Sequence, residues 1–328
     1  MNFRTFNDLN SVIFSHLHTL PKDIDIIAGI PRSGLLAANI IALYLNLPLT
    51  DIGSLAEGRI SNIGYTQRVK DCWIKDISQA RKILVVDDSS GSGRSIRDAK
   101  DRLKGTEFYD RIIFCAVYVS KEAQKVPDLY FELVEFPRMF EWNYLHHGAL
   151  SSACCDIDGV LCPDPTEEQN DDGEKYVDFI RNVPARFIPT CELGCLITSR
   201  LEKYRSDTEY WLRKNNIRYR KLIMMNFATK QERVMSGSHG KFKAKHYKDI
   251  KEAEIFIESN EYQAEEIAGL SGKLVFCTDS HKVYPESSLM RIKRKTKHKI
   301  RQIISIILPR KVKDVIKKVI RRKLYILL

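Results

Sequence analysis

The residues best able to do chemistry fall into two acid-centred groups. In the first, Asp87 and Asp88 stand side by side after four apolar residues, Ile83 to Val86, and run into Ser89-Ser-Gly-Ser-Gly-Arg-Ser95. Adjacent carboxylates can accept hydrogen bonds from a sugar diol or hold a metal ion. A serine–glycine loop entering a helix exposes backbone N–H groups at the positive end of the helix dipole, which suits phosphate. Together these residues describe a cradle for a phosphorylated sugar. In the second group, Asp156 and Asp158 flank one isoleucine, and Thr198, Glu258 and a lysine among residues 241, 243, 245 and 248 follow far apart in the chain. A carboxylate pair, a hydroxyl, an amine and a further acid would have to be gathered by the fold.

The pattern around these residues shows what would gather them. Ile83 to Val86 reads as a buried parallel strand, and Ile96, Ala99 and Leu103 mark a helix behind it with Ser95 as the N-cap. Upstream, a helix over residues 5–20 starts near Asn7 with Leu9, Val12, Ile13 and Leu17 on one face. A strand over Ile24–Ile30 then turns through Gly29-Ile-Pro-Arg-Ser-Gly34 into a helix over Leu35–Leu45. Alone, Arg32, Ser33 and Gly34 would make an ordinary turn; beside the 87–95 loop they read as a second anion site. Residues 53–70 are polar and punctuated by glycine, which suits a loop that closes over a ligand. Arg111–Val119 is a further buried strand. Pro137-Arg-Met-Phe-Glu-Trp-Asn143 is either a packing corner or the rim of an acceptor site.

Near residue 150 the alternation restarts. Strands over Ser152–Ile157, Cys195–Ile197 and Ala253–Ile257 deliver Asp156 and Asp158, then Thr198, then Glu258. Helices over Glu202–Lys214 and Ala264–Gly269 lie behind them. Strands alternating with helices predict a parallel sheet with its site at the strands' C-terminal ends. The expectation is therefore an α/β protein of two parallel-sheet domains, residues 1–149 and 150–285, followed by a tail over 286–328.

Composition bears on partners. The formal net charge is +11, but from Arg291 onward fifteen Lys and Arg face one acid, so the tail carries +14 and the rest about −3. The basicity belongs to the tail, which argues against a general nucleic-acid-binding body. The eight cysteines lie mostly in apolar runs, and Cys191 and Cys195 have no second pair at zinc-ligand spacing. No signal peptide and no bilayer-spanning run is read, so the expected location is the cytoplasm. In the tail, Ile300, Ile303, Ile304 and Ile307, then Val312, Val315, Ile316, Val319, Ile320 and Leu324, keep helical spacing opposite a cationic face. Such a helix fits an anionic membrane surface better than an RNA arm or a partner-docking helix.

Val85-Val-Asp-Asp-Ser-Ser-Gly-Ser-Gly-Arg-Ser95 resembles the ribose-phosphate signature of type I phosphoribosyltransferases, and the resemblance covers about residues 1–148. It implies that Asp87 and Asp88 take the ribose hydroxyls of phosphoribosyl pyrophosphate, and that Ser90, Gly91, Ser92, Gly93, Arg94 and Ser95 cradle its 5-phosphate. Arg32, Ser33 and Gly34 match the family's pyrophosphate loop, and residues 54–68 its flexible loop. Gly91 departs from the family, where a hydroxyl residue is usual. The second half resembles haloacid-dehalogenase-type (HAD-like) phosphatases with little cap. That resemblance implies Asp156 as nucleophile, Asp158 as acid–base, Thr198 and Lys243 (chosen over Lys245) as catalytic partners, and Mg²⁺ held by Asp156, Asp158 and Glu258. The fourth motif usually carries two acids; here Glu258-Ser259 carries one.

Such fusions resemble glycan phosphoribosyltransferase–phosphatases of bacterial surface polysaccharide synthesis. The expected reaction is transfer of ribose 5-phosphate to a glycan acceptor, lipid-linked at the inner face of the cell membrane, and then removal of the 5-phosphate. Two other expectations stand beside it: nucleobase transfer coupled to a nucleotide phosphatase, and a phosphoribosyl pyrophosphate-sensing regulator that binds RNA. Glu141 and Glu57 are the candidates for a general base in transfer. The oligomeric state is left open, a homo-oligomer included.

Overall fold

The structure is a computed structural model and describes residues 1–60, 74 and 76–285. The predicted tail, most of the predicted ligand-closing loop, Arg68 and Cys72 lie outside the described residues. Apolar runs of four to nine residues separated by amphipathic helices produce two mainly parallel sheets, as the alternation demands.

The first sheet comprises β2 (Ile24–Gly29), β3 (Leu49–Asp51), β4 (Lys82–Ser90), β5 (Ile112–Val119) and β6 (Leu129–Leu133). Its order is β3-β2-β4-β5-β6, every pair parallel. Helices α1 (Phe6–His16) and α2 (Ser33–Leu45) cover one face, where Leu9, Ile13, Ala37 and Ile41 pack on Leu84 and Val86. Helix α4 (Arg94–Leu103) covers the other, where Ile96, Ala99 and Leu103 pack on Ile83 and Val85. The chain changes direction between β2 and β4, and in open α/β sheets such switch points open the crevice where ligands bind.

Several boundaries differ from the sequence expectation. Strand β4 does not stop at Val86 but runs on through Asp87, Asp88, Ser89 and Ser90 beside β5, with Asp87, Asp88 and Ser90 buried at its C-terminal end. The N-cap of α4 is Gly93, not Ser95; its φ of +81° is a left-handed conformation that glycine adopts without a Cβ penalty. Helix α1 starts at Phe6, one residue before Asn7, and is capped by Thr5 in a reciprocal box with Asp8. Helix α2 begins at Ser33 rather than Leu35, so Ser33 and Gly34 stand in its first turn. Within the supposed loop, Asp51 accepts from the Gly53 and Ser54 N–H groups and starts a short helix, α3 (Ile52–Ala56).

A two-stranded parallel ribbon, β1 (Asn2–Arg4) with β7 (Arg138–Phe140), joins the halves. Phe3 stacks on Phe276 with centroids 4.6 Å apart, and Phe3 and Met139 share a core with Leu196 and Trp211. The second sheet comprises β8 (Ala153–Cys155), β9 (Leu193–Leu201), β10 (Tyr219–Met225), β11 (Ile255–Glu258), β12 (Leu274–Cys277) and β13 (Lys282–Tyr284). Its order is β10-β9-β8-β11-β12-β13, and only β13 runs antiparallel. Helices α5 (Glu174–Asn182) and α6 (Arg205–Lys214) pack on one face, and α8 (His239–Asp249) and α9 (Glu261–Ser271) on the other. The direction change here falls between β8 and β11, which end beside Asp156 and at Glu258. Among the described residues no helix is long and apolar enough to cross a membrane.

Candidate active sites

The cradle lies at the switch point of the first sheet. Asp87 and Asp88 are buried at 5% and 4% exposure, at the end of β4 where the parallel strands deliver side chains to the crevice. Burial, and then the negative charge of Asp88, pushes Asp87 up to about 8. Its Oδ2 is buried with no hydrogen-bond partner among the described residues, as is Ser90 Oγ. Gly34 lets α2 approach: a Cβ there would meet the Val86 carbonyl at 2.7 Å and Asp87 Cα at 3.1 Å. The turn before it contains a cis Pro31–Arg32 peptide, and the Arg32 side chain is exposed.

The loop over residues 91–93 is held by its carbonyls, leaving its donors free. Ser120 donates to the Gly91 carbonyl at 2.5 Å and Arg97 to that of Ser92 at 3.0 Å. The N–H groups of Gly91, Ser92 and Gly93 meet no acceptor among the described residues. Unpaired N–H groups beside the α4 N-terminus are the kind of donors an anion would need. Ser92 and Ser95 are exposed, whereas Arg94 points outward, 3.7 Å from Asp98, away from the loop's interior. The glycine at 91 has a spatial reason, since a Cβ would sit 3.0 Å from both the Arg138 guanidinium and the Phe136 ring.

Sequence reasoning flagged residues 137–143 without assigning them. The structure sets them behind the acid pair. Trp142 Nε1 donates to Asp88 Oδ2 at 2.8 Å while its ring stacks on Phe140. Arg138, 4% exposed, lies over Phe136 and Phe140. Burial lowers its pKa against the pull of Asp88 and Asp87. Glu141 is not free to act as a base: it accepts from the Phe6 N–H at 2.8 Å and contacts His281 Nδ1 at 2.5 Å. Glu57 is exposed and pairs with Arg59.

The second centre lies at the switch point of the other sheet. Lys243 on α8 is 1% exposed, and its ammonium reaches Asp156 Oδ2, Glu258 Oε2 at 2.7 Å and Gln263 Oε1 at 2.9 Å. Lys245 is exposed, so Lys243 is the lysine the fold delivers. Burial works against the Lys243 charge, but Asp156 and Glu258 outweigh it and hold its pKa above the usual range. Burial pushes Asp156 up to about 7, with Lys243 pulling it down and Glu258 and Asp158 pushing it up. Thr198 is fully buried within β9, which runs on to Leu201, and accepts from the Arg200 N–H at 3.3 Å.

Asp158 stands apart from this cluster. The buried Arg200 side chain takes both its oxygens, Nε at 3.1 Å from each and a terminal nitrogen at 2.6 Å from Oδ1. No feature of the sequence pattern pointed to that pair. The expected Mg²⁺ set of Asp156, Asp158 and Glu258 is therefore not assembled by side chains, and among the described residues no three His, Cys, Asp or Glu groups converge as metal ligands. Asp156 and Glu258 do fit a hard divalent cation: they are oxygen donors, and two buried carboxyls face a single ammonium.

The fold of the first half is an α/β domain with a buried acid pair and a serine–glycine loop at its sheet switch point. Residues 4–147 match the family model of the phosphoribosyl transferase domain. Among curated proteins nothing matches the chain. Solved structures similar to it include purine phosphoribosyltransferase from Pyrococcus horikoshii Ot3, at 23% identity over 43% of this chain and 92% of that one, with a TM-score of 0.31. Helicobacter pylori xanthine-guanine-hypoxanthine phosphoribosyltransferase is 16% identical over 43% and 92% of the two chains, TM-score 0.32. Orotate phosphoribosyltransferase from Aeropyrum pernix is 19% identical over 38% and 71%, TM-score 0.24.

Proposed function

We propose that this chain transfers the ribosyl 5-phosphate unit of phosphoribosyl pyrophosphate to a glycan hydroxyl at the cradle, and then hydrolyses the 5-phosphate at the Asp156 centre. The observation that carries the reading is the recurrence of one arrangement. Each of two parallel sheets in a single chain ends, at its switch point, in buried acids. The phosphoribosyl transferase match over residues 4–147 supports the first activity, and the Asp156–Lys243–Glu258 cluster supports the second.

In transfer, Asp87 and Asp88 accept from the two ribose hydroxyls, and the N–H groups of residues 91–95 hold the 5-phosphate. Arg32, Ser33 and Gly34 face the pyrophosphate as it leaves C1. The acceptor oxygen bonds to C1, and its proton leaves with the pyrophosphate. In hydrolysis, Asp156 attacks phosphorus and forms an aspartyl phosphate while Asp158, protonated and turned away from Arg200, gives its proton to the departing ribosyl oxygen. Asp158 then takes a proton from the water that frees Asp156 and releases phosphate. Lys243 holds Asp156 in place, and Thr198 binds a phosphoryl oxygen. Mg²⁺ held by Asp156 and Glu258 would neutralise charge on the phosphoryl oxygens. Loss of the 5-phosphate makes the sequence irreversible and leaves a plain ribofuranosyl unit.

The acceptor is a lipid-linked glycan, and the basic tail holds the enzyme at the cytoplasmic face of an anionic membrane. Incubating the full chain with phosphoribosyl pyrophosphate and a lipid-linked oligosaccharide tests the scheme by mass spectrometry. Wild type yields a ribosylated product without phosphate, and Asp156→Asn yields the 5-phosphorylated one. Identical products from the two proteins would refute the coupling.

A further inference from the structure

One wall of the second cleft holds polar groups that the hydrolytic chemistry leaves unused. Helix α7 (Lys230–Ser236) carries Arg233, which is 8% exposed. A terminal nitrogen of its guanidinium donates to the Ser199 carbonyl at 2.9 Å, but its buried Nε has no partner among the described residues. Ser199 Oγ and Asn170 Oδ1 are buried and unpartnered in the same way. All three residues line one cleft of about 230 Å³ together with Asp156, Asp158 and Lys243.

The chemistry of these atoms narrows the ligand. An arginine Nε–H can only donate, an amide oxygen can only accept, and a serine hydroxyl does either. A second phosphate or a carboxylate offers acceptors alone and would leave Asn170 Oδ1 unmet. An apolar group would leave all three unmet, each at the cost of a desolvated polar atom. A pair of hydroxyls both donates and accepts, and so satisfies the wall. The cleft is smaller than the roughly 300 Å³ at which sites for drug-sized ligands begin. It therefore has room for one sugar phosphate unit, with any further ligand outside.

We propose that Arg233, Asn170 and Ser199 form a hydroxyl-reading subsite, so that the substrate class of this cleft is a pentofuranoside 5-phosphate with a free ring diol. The proposal rests on the phosphatase reading above and adds to it what the enzyme discriminates. Phosphate release by the full chain from methyl ribofuranoside 5-phosphate and from its 2,3-dideoxy analogue tests it. Wild type should favour the diol by tenfold or more in kcat/KM, and Arg233→Met should bring that ratio close to one. Asn170→Ala, which removes a smaller group, should lower the ratio several-fold and covers the case in which Arg233→Met does not fold. Equal rates on the two compounds in wild type would overturn the subsite. So would a slowing of both compounds by the same factor in Arg233→Met, which would place the guanidinium on the phosphoryl group instead. Release from neither compound would refute the phosphatase reading, and the subsite would fall with it.

Discussion

The two acid centres look alike in sequence and differ in how the fold treats their charge. At the cradle, Asp87 and Asp88 are buried side by side, and among the described residues no cation is bonded to them: Asp88 takes a neutral indole N–H, Asp87 Oδ2 has no partner, and Arg138 acts from behind aromatic rings. At the second centre an ammonium sits between Asp156 and Glu258. Burying like charges together is costly unless a counter-charge or hydrogen bonds compensate. Among the described residues the cradle thus lacks a compensating ion pair, while the second centre is assembled around Lys243. The first centre holds its acids without a bonded side-chain cation among the described residues, and the second holds them with one.

The strongest break of that contrast is at Asp156. Under the proposed scheme, in which this carboxylate forms the covalent intermediate, Asp156→Asn should lower phosphate release by at least ~10⁴-fold. Pyrophosphate release at the cradle, assayed on the same preparation, should persist. Next comes the counter-ion. Lys243→Met leaves two buried carboxyls facing each other and should destabilise the chain by roughly 3–5 kcal/mol in denaturant unfolding. A comparable loss on removing Arg138 would erase the distinction between the centres, because it would make that guanidinium an equal counter-ion.

The cradle's charge can be read through pH. Between the ordinary carboxyl range and about 8, an unfolded chain has Asp87 ionised while the folded chain keeps its proton. The folded state then binds more protons, so stability falls as pH rises through this window. Asp87→Asn removes that dependence. It should stabilise the chain at pH 8 by on the order of 2 kcal/mol, with the gain shrinking toward pH 4. Thermal melts across that range check it; a gain that grows as pH falls would mean that Asp87 is held ionised in the fold.

Much of this contrast was legible in the sequence, and the missing part has a physical pattern. Strands and helices showed through period and apolar runs, and the acids stood out because carboxyls at strand ends are conspicuous. What failed to show were groups whose role is set by distant partners. Arg200 and Arg233 look like surface arginines, yet one is fully buried against Asp158 and the other lies on a cleft wall 34 residues from the carbonyl it holds. Strand β4 was read too short because aspartate and serine are poor strand formers, and only burial against β5 keeps them in the sheet. The cysteines at 154 and 195 face each other across β8 and β9 as buried free thiols, in keeping with their apolar runs.

The finest test of the comparison concerns Trp142, which the sequence placed in an unassigned cluster. Its indole N–H is the one side-chain donor to Asp88 among the described residues. It therefore orients the Asp88 carboxyl without supplying charge. Trp142→Phe keeps the stack on Phe140 and Tyr118 but deletes that donor. A neutral hydrogen bond to a buried acid contributes about 1 kcal/mol, so KM for phosphoribosyl pyrophosphate should rise about fivefold with little change in kcat. Phosphate release at the Asp156 centre should stay as in wild type. If Trp142→Phe instead slowed phosphate release, the two centres would be coupled through the neighbouring Glu141–His281 contact, and binding and reaction would not be separable tasks in this chain.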